Sequence, residues 1–139
     1  MITIGERING MFTDVKNAIK NRDARVVQEL AQRQTDAGAT YLDVNVGTAA
    51  ADQLDAMKWL VEVIQEKVKT PIALDSQKLD VIKAGLEVIK NDVMINSVQG
   101  DPETLDIYME LAKKHNAALI CLTMNKDGVP QNVDTRVEI

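Results

Sequence analysis

The stretch TPIALDSQKLDVIKAGLEVIKNDVMINSVQG, residues 70–100, holds two short apolar runs separated by a longer amphipathic segment. The first run ends at Asp75 and the second at Asn96. Between them, apolar residues recur at intervals of three and four, which is typical of a helix that buries one face: Leu79, Ile82, Leu86 and Ile89. The stretch therefore predicts a strand, a helix and a second strand, and each strand finishes on a polar side chain.

The same alternation continues on both sides of this stretch. Further strands are predicted around Ile2 and Ile4, at Tyr41–Val46 and at Ala118–Met124. Nearly continuous apolar strands that alternate with helices form parallel sheets covered by those helices. Two architectures satisfy this order: a doubly wound open sheet, or part of a (β/α)8 barrel.

Helix boundaries are marked by capping residues. Asp23 is a predicted N-cap, and the helix after it is expected to stop at Gly38. Asp101 and Pro102 begin another helix, which ends near the basic residue Lys113. Short helical stretches are also indicated at Asp14–Lys20 and over residues 133–139. The apolar faces of the long helices are expected to bury Leu54, Met57, Val61, Ile64 and Val68 before residue 70, and Leu105, Met109 and Ala112 after residue 100.

Polar residues stand at the ends of all five predicted strands. One such residue is commonly only a helix cap, which is the more frequent role of an isolated serine at this place. In either architecture, however, the carboxyl ends of parallel strands meet at one edge of the sheet, where ligands bind. The set therefore predicts a binding site made of Asn9, Asp43, Asn45, Asp75, Ser76, Asn96, Ser97 and Asn125.

Composition limits the classes of function. The 139 residues are enough for one domain, and the net charge of −5 argues against a general nucleic-acid-binding protein. A single cysteine allows no internal disulfide and fits a reducing compartment. No apolar run approaches the about 18 residues of a membrane span, and the N-terminus does not have the pattern of a signal peptide. We therefore expect a cytoplasmic protein without a membrane partner.

Several kinds of active site are disfavoured by the residue types. No histidine or cysteine stands at a strand end, so no zinc site or other metal site is expected. His115 lies at the far end of a helix, which leaves no Ser-His-acid set, and Cys121 is expected to be an inert core residue. Neither a G-x-G-x-x-G nor a G-x-x-x-x-G-K-[ST] motif is present.

The remaining amides and carboxylates suit a flat heterocycle rich in hydrogen-bonding groups. A carboxylate accepts two hydrogen bonds side by side from an amino group and a neighbouring ring N–H. An asparagine amide offers both a donor and an acceptor to such an edge. A pterin has an edge of this amidine-like kind.

Five motifs, one at each strand, carry a resemblance over the whole chain: IGERING, LDVNVG, LDS, MINS and LTMNKDGVP. In this order they resemble the pterin-binding methyltransferases of corrinoid metabolism, notably the methyltetrahydrofolate:corrinoid/iron–sulfur protein methyltransferases of the acetyl-CoA type of one-carbon metabolism. They are also similar to the folate domain of cobalamin-dependent methionine synthase. The resemblance implies a (β/α)8 barrel that transfers the N5-methyl group of 5-methyltetrahydrofolate to the cobalt(I) of a corrinoid carried by a partner protein.

The resemblance also implies roles for individual residues. Asp75 and Asn96 match the ligands of the pterin ring in that family, and further matches near the ring are Asn9, Asp43 and Asn45. Ser97 and Asn125 are placed at the same mouth. The family implies a homodimer for the full-length enzyme and a network of Asp, Asn and water that stabilises positive charge at N5 in the transition state.

Chain length departs from the family. A complete barrel needs about 250 residues, and this chain is expected to contain one pterin-binding domain, residues 1–139, with about the first five strands and four helices. The residue that activates N5 is expected on a later strand, so no catalytic residue is assigned here. Three interpretations stay open: a piece of the complete enzyme, a small protein that pairs with another half, or an open fragment without catalysis.

Two further functions compete with methyl transfer. Dihydropteroate synthases share the pterin pocket, but they carry an N-x-T-x-D-S-F type of loop after the first strand, where this chain has NGMFTDVKN. A folate-binding fragment without turnover is the alternative of another class. Such a fragment would bind the pterin edge through Asp75 and Asn96 but would not activate N5.

Overall fold

The computed structural model describes residues 1–139 and contains five strands and six helices. The strands are β1 (Ile4–Asn9), β2 (Tyr41–Asn45), β3 (Ile72–Asp75), β4 (Val93–Gln99) and β5 (Ala118–Leu122). The helices are α1 (Thr13–Asn21), α2 (Ala24–Asp36), α3 (Gln53–Lys67), α4 (Leu79–Val88), α5 (Pro102–His115) and α6 (Val133–Glu138). Helices α2 to α5 lie in the four connections between strands, and α1 and α6 are the two short helical stretches expected from the sequence.

All five strands are parallel and lie side by side in the order β1-β2-β3-β4-β5. A doubly wound sheet reverses its strand order at a switch point, and this sheet does not reverse. Sequential order is the arrangement of a (β/α)8 barrel, in which each helix returns the chain to the next neighbouring strand. The fold is therefore of the barrel type, and these strands form an open part of such a barrel.

Alternating side chains of the central strands face two different environments. Leu42, Val44, Ile72 and Leu74 belong to the single apolar core between the sheet and the helices. The residues between them in sequence point to the opposite face, because successive side chains of a strand alternate. That second face carries Asp43 and Asp75, so the strand pattern separates the core from the polar residues.

Capping residues place the helices as the sequence predicts. The Asp23 side chain accepts a hydrogen bond from the backbone N–H of Arg25 at 3.2 Å at the start of α2. The Asp101 side chain accepts one from the N–H of Thr104 at 3.3 Å, and proline follows it in the first turn of α5. Each cap satisfies a backbone donor that the helix itself leaves free.

Two residues expected on buried helix faces are exposed. Leu54 is 45% exposed because it lies in the first turn of α3, beyond the carboxyl ends of the strands that α3 covers. Met109 is 54% exposed, whereas Tyr108 is 5% exposed. The buried face of α5 includes Tyr108 and Ala112. Met109 follows Tyr108 directly, so its side chain lies about 100° further around the helix axis and away from this face.

The expectation of a buried Cys121 is also wrong. Its side chain is exposed, because β5 is the last strand of the sheet and has no neighbour on its outer side. The bounds of three of the strands differ as well: β2 ends at Asn45, β4 continues past Asn96 to Gln99, and β5 ends at Leu122. None of the six helices combines the length and the apolar composition of a membrane-spanning helix.

Candidate functional site

The carboxyl ends of β2, β3 and β4 bring together four of the predicted site residues. Asp43 and Asn45 come from β2, Asp75 from β3 and Asn96 from β4. Asp75 and Asn96 are direct neighbours in the parallel register of β3 and β4. All four side chains alternate with core residues and therefore lie on the face of the sheet that the helices do not cover.

Asn45 and Asp75 are joined by a short hydrogen bond. The Asn45 Nδ2 donates to Asp75 Oδ2 at 2.5 Å, and the Asn45 Oδ1 accepts from the backbone N–H of Gly47 at 2.6 Å. Gly47 has a φ of 55°, in the left-handed region that glycine adopts without strain. The turn after β2 bonds the oxygen end of the Asn45 amide and Asp75 of β3 bonds its nitrogen end, so together they fix its orientation.

A second hydrogen bond joins β2 to β4 across β3, which lies between them. The Asn96 Nδ2 donates to Asp43 Oδ1 at 2.9 Å, although β2 and β4 are not adjacent. The residue of β3 opposite Asp43 is Ala73, whose side chain is a single methyl group. Because that position is small, the side chains of β2 and β4 can meet above it.

Asp43 lies in a strongly perturbed electrostatic environment. Its side chain is buried, and this burial raises the pKa of its carboxyl from 3.8 to about 6. The hydrogen bond from Asn96 acts in the opposite direction, and the negative charges of Asp75 and Glu6 add to the increase. Asp43 is thus a carboxyl group that exchanges its proton close to neutral pH.

A cleft of about 410 Å³ opens beside this group of residues. Asn45, Asp75 and Ser76 line it, together with Gln53 and Lys78, which the sequence analysis did not select. The Lys78 Nζ donates to Gln53 Oε1 at 2.7 Å. Both residues lie at or just before the start of the helix that follows a strand. All polar residues at such positions are candidates for a site at the carboxyl ends of the strands, and this rule would have included Gln53 and Lys78.

Two other predicted residues make local contacts instead. Asn9 is the register partner of Asn45, but its Oδ1 accepts from the backbone N–H of Met11 at 2.9 Å. Asn125 Oδ1 accepts from the N–H of Asp127 at 2.9 Å within a tight turn.

Ser97 lines a second cleft of about 350 Å³, next to the first one, with Gln77 between the two. The peptide bond between Asn96 and Ser97 is cis, and the register of β4 with β5 shifts at this point. The chain contains no group of three or more His, Cys, Asp or Glu side chains arranged to hold a metal ion.

Comparison with known proteins identifies the family of the chain. The sequence profile of the family described as pterin binding enzyme matches residues 8–138. This chain belongs to the pterin binding enzyme family. The match includes all four residues joined at the ends of β2, β3 and β4.

Three proteins similar to this chain have informative names. The chain is 36% identical over 141 residues to a methylcorrinoid:tetrahydrofolate methyltransferase of Eubacterium limosum, which covers 100% of this chain and 52% of that protein. It is 34% identical over 145 residues to a methionine synthase of Mycobacterium leprae and 33% identical over 145 residues to that of Mycobacterium tuberculosis. Each of these two alignments covers 100% of this chain and 12% of the relative.

The chain thus spans about half the length of the first relative and a small part of the other two. Both kinds of name denote enzymes, which agrees with the enzyme class inferred from the sequence motifs. The first name gives the methylcorrinoid before tetrahydrofolate. The resemblance seen in the sequence implied the reverse order, with the methyl group passing from 5-methyltetrahydrofolate to the corrinoid.

Proposed function

We propose that residues 1–139 form the pterin-binding part of a methyltransferase that moves a methyl group between N5 of tetrahydrofolate and a corrinoid held by a partner protein. The observation that supports this most is the pair of acceptor oxygens on Asp75 and Asn96, neighbours in register at the ends of β3 and β4. Family membership and the names of the relatives point in the same direction.

The free hydrogen-bonding atoms of the site fit the donor edge of a pterin. Asp75 Oδ2 and one N–H of Asn96 Nδ2 are used inside the chain, so Asp75 Oδ1 and Asn96 Oδ1 remain as acceptors and the second N–H of Asn96 remains as a donor. Neither oxygen accepts a side-chain hydrogen bond within the chain, and both residues are partly exposed. Two adjacent acceptors match the amino group and the ring N–H that a pterin presents side by side.

The chemistry divides between this chain and its partner. A corrinoid supplies the cobalt that exchanges the methyl group when it is bound to the partner protein. The residues of this chain would hold and orient the pterin ring for that transfer. Because a catalyst that stabilises one transition state accelerates the reaction both ways, the same site serves either direction of transfer.

Titration calorimetry with 5-methyltetrahydrofolate tests the binding part of this proposal. We expect the wild-type chain to bind, and we expect Asp75→Ala to weaken binding by about 1–3 kcal/mol, because the ligand's donors lose a charged partner. Asp106→Asn, which removes an exposed carboxylate on the outer helix α5, should leave the affinity unchanged.

Anaerobic addition of cob(I)alamin then tests methyl transfer, with the visible absorbance of the corrinoid as the readout. If this part of the enzyme supports transfer without the later strands, the absorbance of the methylated corrinoid should appear, and only when 5-methyltetrahydrofolate is present. Absence of binding by the wild-type chain, or equal affinity in Asp75→Ala, would contradict the proposed site. Magnesium-dependent condensation of a pterin pyrophosphate with an aromatic amine would instead support a dihydropteroate synthase.

A further inference from the structure

The cleft of about 410 Å³ beside the strand ends has two chemically different ends. At one end, Asp75 is the only carboxylate among the residues that line the cleft, and it is the last residue of β3. At the other end, Lys78 is the only cation, and it directly precedes α4. The cleft therefore leads from a negative charge at the strand ends to a positive charge at the layer of helices.

Lys78 is held at the cleft by an amide and not by a carboxylate. Its Nζ donates to Gln53 Oε1 at 2.7 Å, and Gln53 Nε2 donates to the backbone carbonyl of Gly47 at 2.8 Å. Because that carbonyl can only accept, the oxygen end of the Gln53 amide is directed toward Lys78. None of the five salt bridges of the chain includes Lys78. An ammonium has three N–H groups, so charge and donors remain for an anionic ligand.

The surroundings of Lys78 also favour an anion. Ser76 Oγ accepts from the backbone N–H of Lys78 at 3.1 Å, so the Ser76 hydroxyl hydrogen remains to donate. The ten-residue helix α4 begins at Leu79, and the N-terminus of a helix carries partial positive charge. Asp80 in the first turn of α4 does not line the cleft, and it lies 4.0 Å from the ammonium of Lys83.

Tetrahydrofolate has the complementary polarity. Its pterin ring carries the donors that fit Asp75, and its aminobenzoyl tail ends in a glutamate with negatively charged carboxylates. We propose that Lys78, positioned by Gln53, binds a carboxylate of this glutamate tail and makes the site prefer folates to pterins without a charged tail. This inference rests on the proposed pterin site and adds recognition of the anionic end of the substrate.

Two ligands separate the charge of the tail from the pterin ring: 5-methyltetrahydrofolate and its glutamate dimethyl ester. Both have the same ring and the same tail, but only the free acid carries the carboxylate charges. Titration calorimetry at low ionic strength should show that the wild-type chain prefers the free acid by about fivefold. We expect no larger ratio, because Lys78 is exposed and ion pairs in contact with solvent are weak.

Lys78→Gln should lower this preference below about twofold by weakening only the binding of the free acid, because the positive charge is lost. Lys78→Arg keeps the charge and should keep the preference. Lys83→Gln is the matched control, because it removes a cation of α4 that does not line the cleft. A merely structural role of Lys78 would lower both affinities together, and an unchanged ratio in Lys78→Gln would overturn the inference.

Gln53 provides a second variant that leaves Lys78 in place. Gln53→Glu puts a carboxylate where the amide oxygen accepts from Lys78, so the new charge should pair with the ammonium and repel the tail. The preference for the free acid should then fall as far as in Lys78→Gln. Retention of the wild-type preference in Gln53→Glu would also overturn the inference.

The wild-type chain allows a further measurement without any variant. Raising the ionic strength to about 0.5 M should remove most of the preference, because salt screens exposed charges. A preference that does not depend on salt would contradict the role of Lys78.

The outcomes separate the two proposals from each other. Failure of the wild-type chain to bind either ligand contradicts the proposed function itself. Binding of both ligands with equal affinity leaves the pterin site in place and overturns only the assignment of Lys78 to the tail.

Discussion

β3 and β5 are both short apolar strands, but they have different surroundings. Ile72 and Leu74 of β3 are each 0% exposed, because β3 lies between β2 and β4 and under helices α3 and α4. In β5, none of the residues is buried, and Leu122 is 38% exposed. An apolar sequence therefore shows that a strand can be buried, whereas neighbours on both sides decide whether it is.

The joined site residues lie in the fully supported part of the sheet. Asp43, Asn45, Asp75 and Asn96 come from the three central strands, where packing on the helix side fixes the backbone. The predicted residues at the outer strands, Asn9 and Asn125, bond to their own turns. The contrast between centre and edge thus applies to the polar residues as well as to the core.

Truncation of a central leucine should have the largest effect on stability. Leu74→Ala removes a side chain that is 0% exposed and should lower the free energy of unfolding by about 2–5 kcal/mol. Leu122→Ala should cost less than about 1 kcal/mol, because much of that side chain is already in water. Urea denaturation of both variants measures the two values, and equal losses would contradict the contrast between β3 and β5.

Neutralisation of Asp43 should stabilise the chain in a pH-dependent way. Its raised pKa means that the folded state holds the proton more tightly than the unfolded state, so stability falls as the pH rises from about 4 to about 6. Asp43→Asn should therefore raise the free energy of unfolding at pH 8 by about 1–3 kcal/mol. The difference from the wild type should disappear near pH 4, and a difference that is independent of pH would contradict the assigned pKa.

The outer strands should make the isolated chain associate. β1 and β5 are unpaired on one side, and such edges combine readily with other strands. Light scattering over a concentration series should show oligomers of the wild type. Leu122→Lys should reduce association while it changes the free energy of unfolding by only about 0.5 kcal/mol. A monodisperse wild-type monomer would show that the edges do not associate.

Local patterns predicted most of the fold. The spacing of Leu79, Ile82 and Leu86 predicted α4, and Asp23 and Asp101 marked the starts of α2 and α5, because helix period and capping depend on nearby residues. The burial of Cys121 was not predicted correctly, because it depends on a neighbour that the strand itself does not specify.

The grouping of the candidate site residues was predictable from the sequence, but the hydrogen bonds between them were not. The polar strand ends indicated Asp43, Asn45, Asp75 and Asn96, since parallel strands place such residues at one edge. The bond from Asn96 to Asp43 depends on strand register, on sheet curvature and on the small size of Ala73, which no local pattern encodes.

Hydrogen–deuterium exchange with and without 5-methyltetrahydrofolate tests the central claim most directly. If the ends of β2, β3 and β4 hold the pterin, the ligand should slow exchange in peptides that cover residues 43–47, 74–78 and 94–98. Exchange in peptides from β1 and β5 should change little, because their predicted site residues bond to local turns or lie apart. Protection confined to β1 or β5, or none at the three central strand ends, would contradict the account.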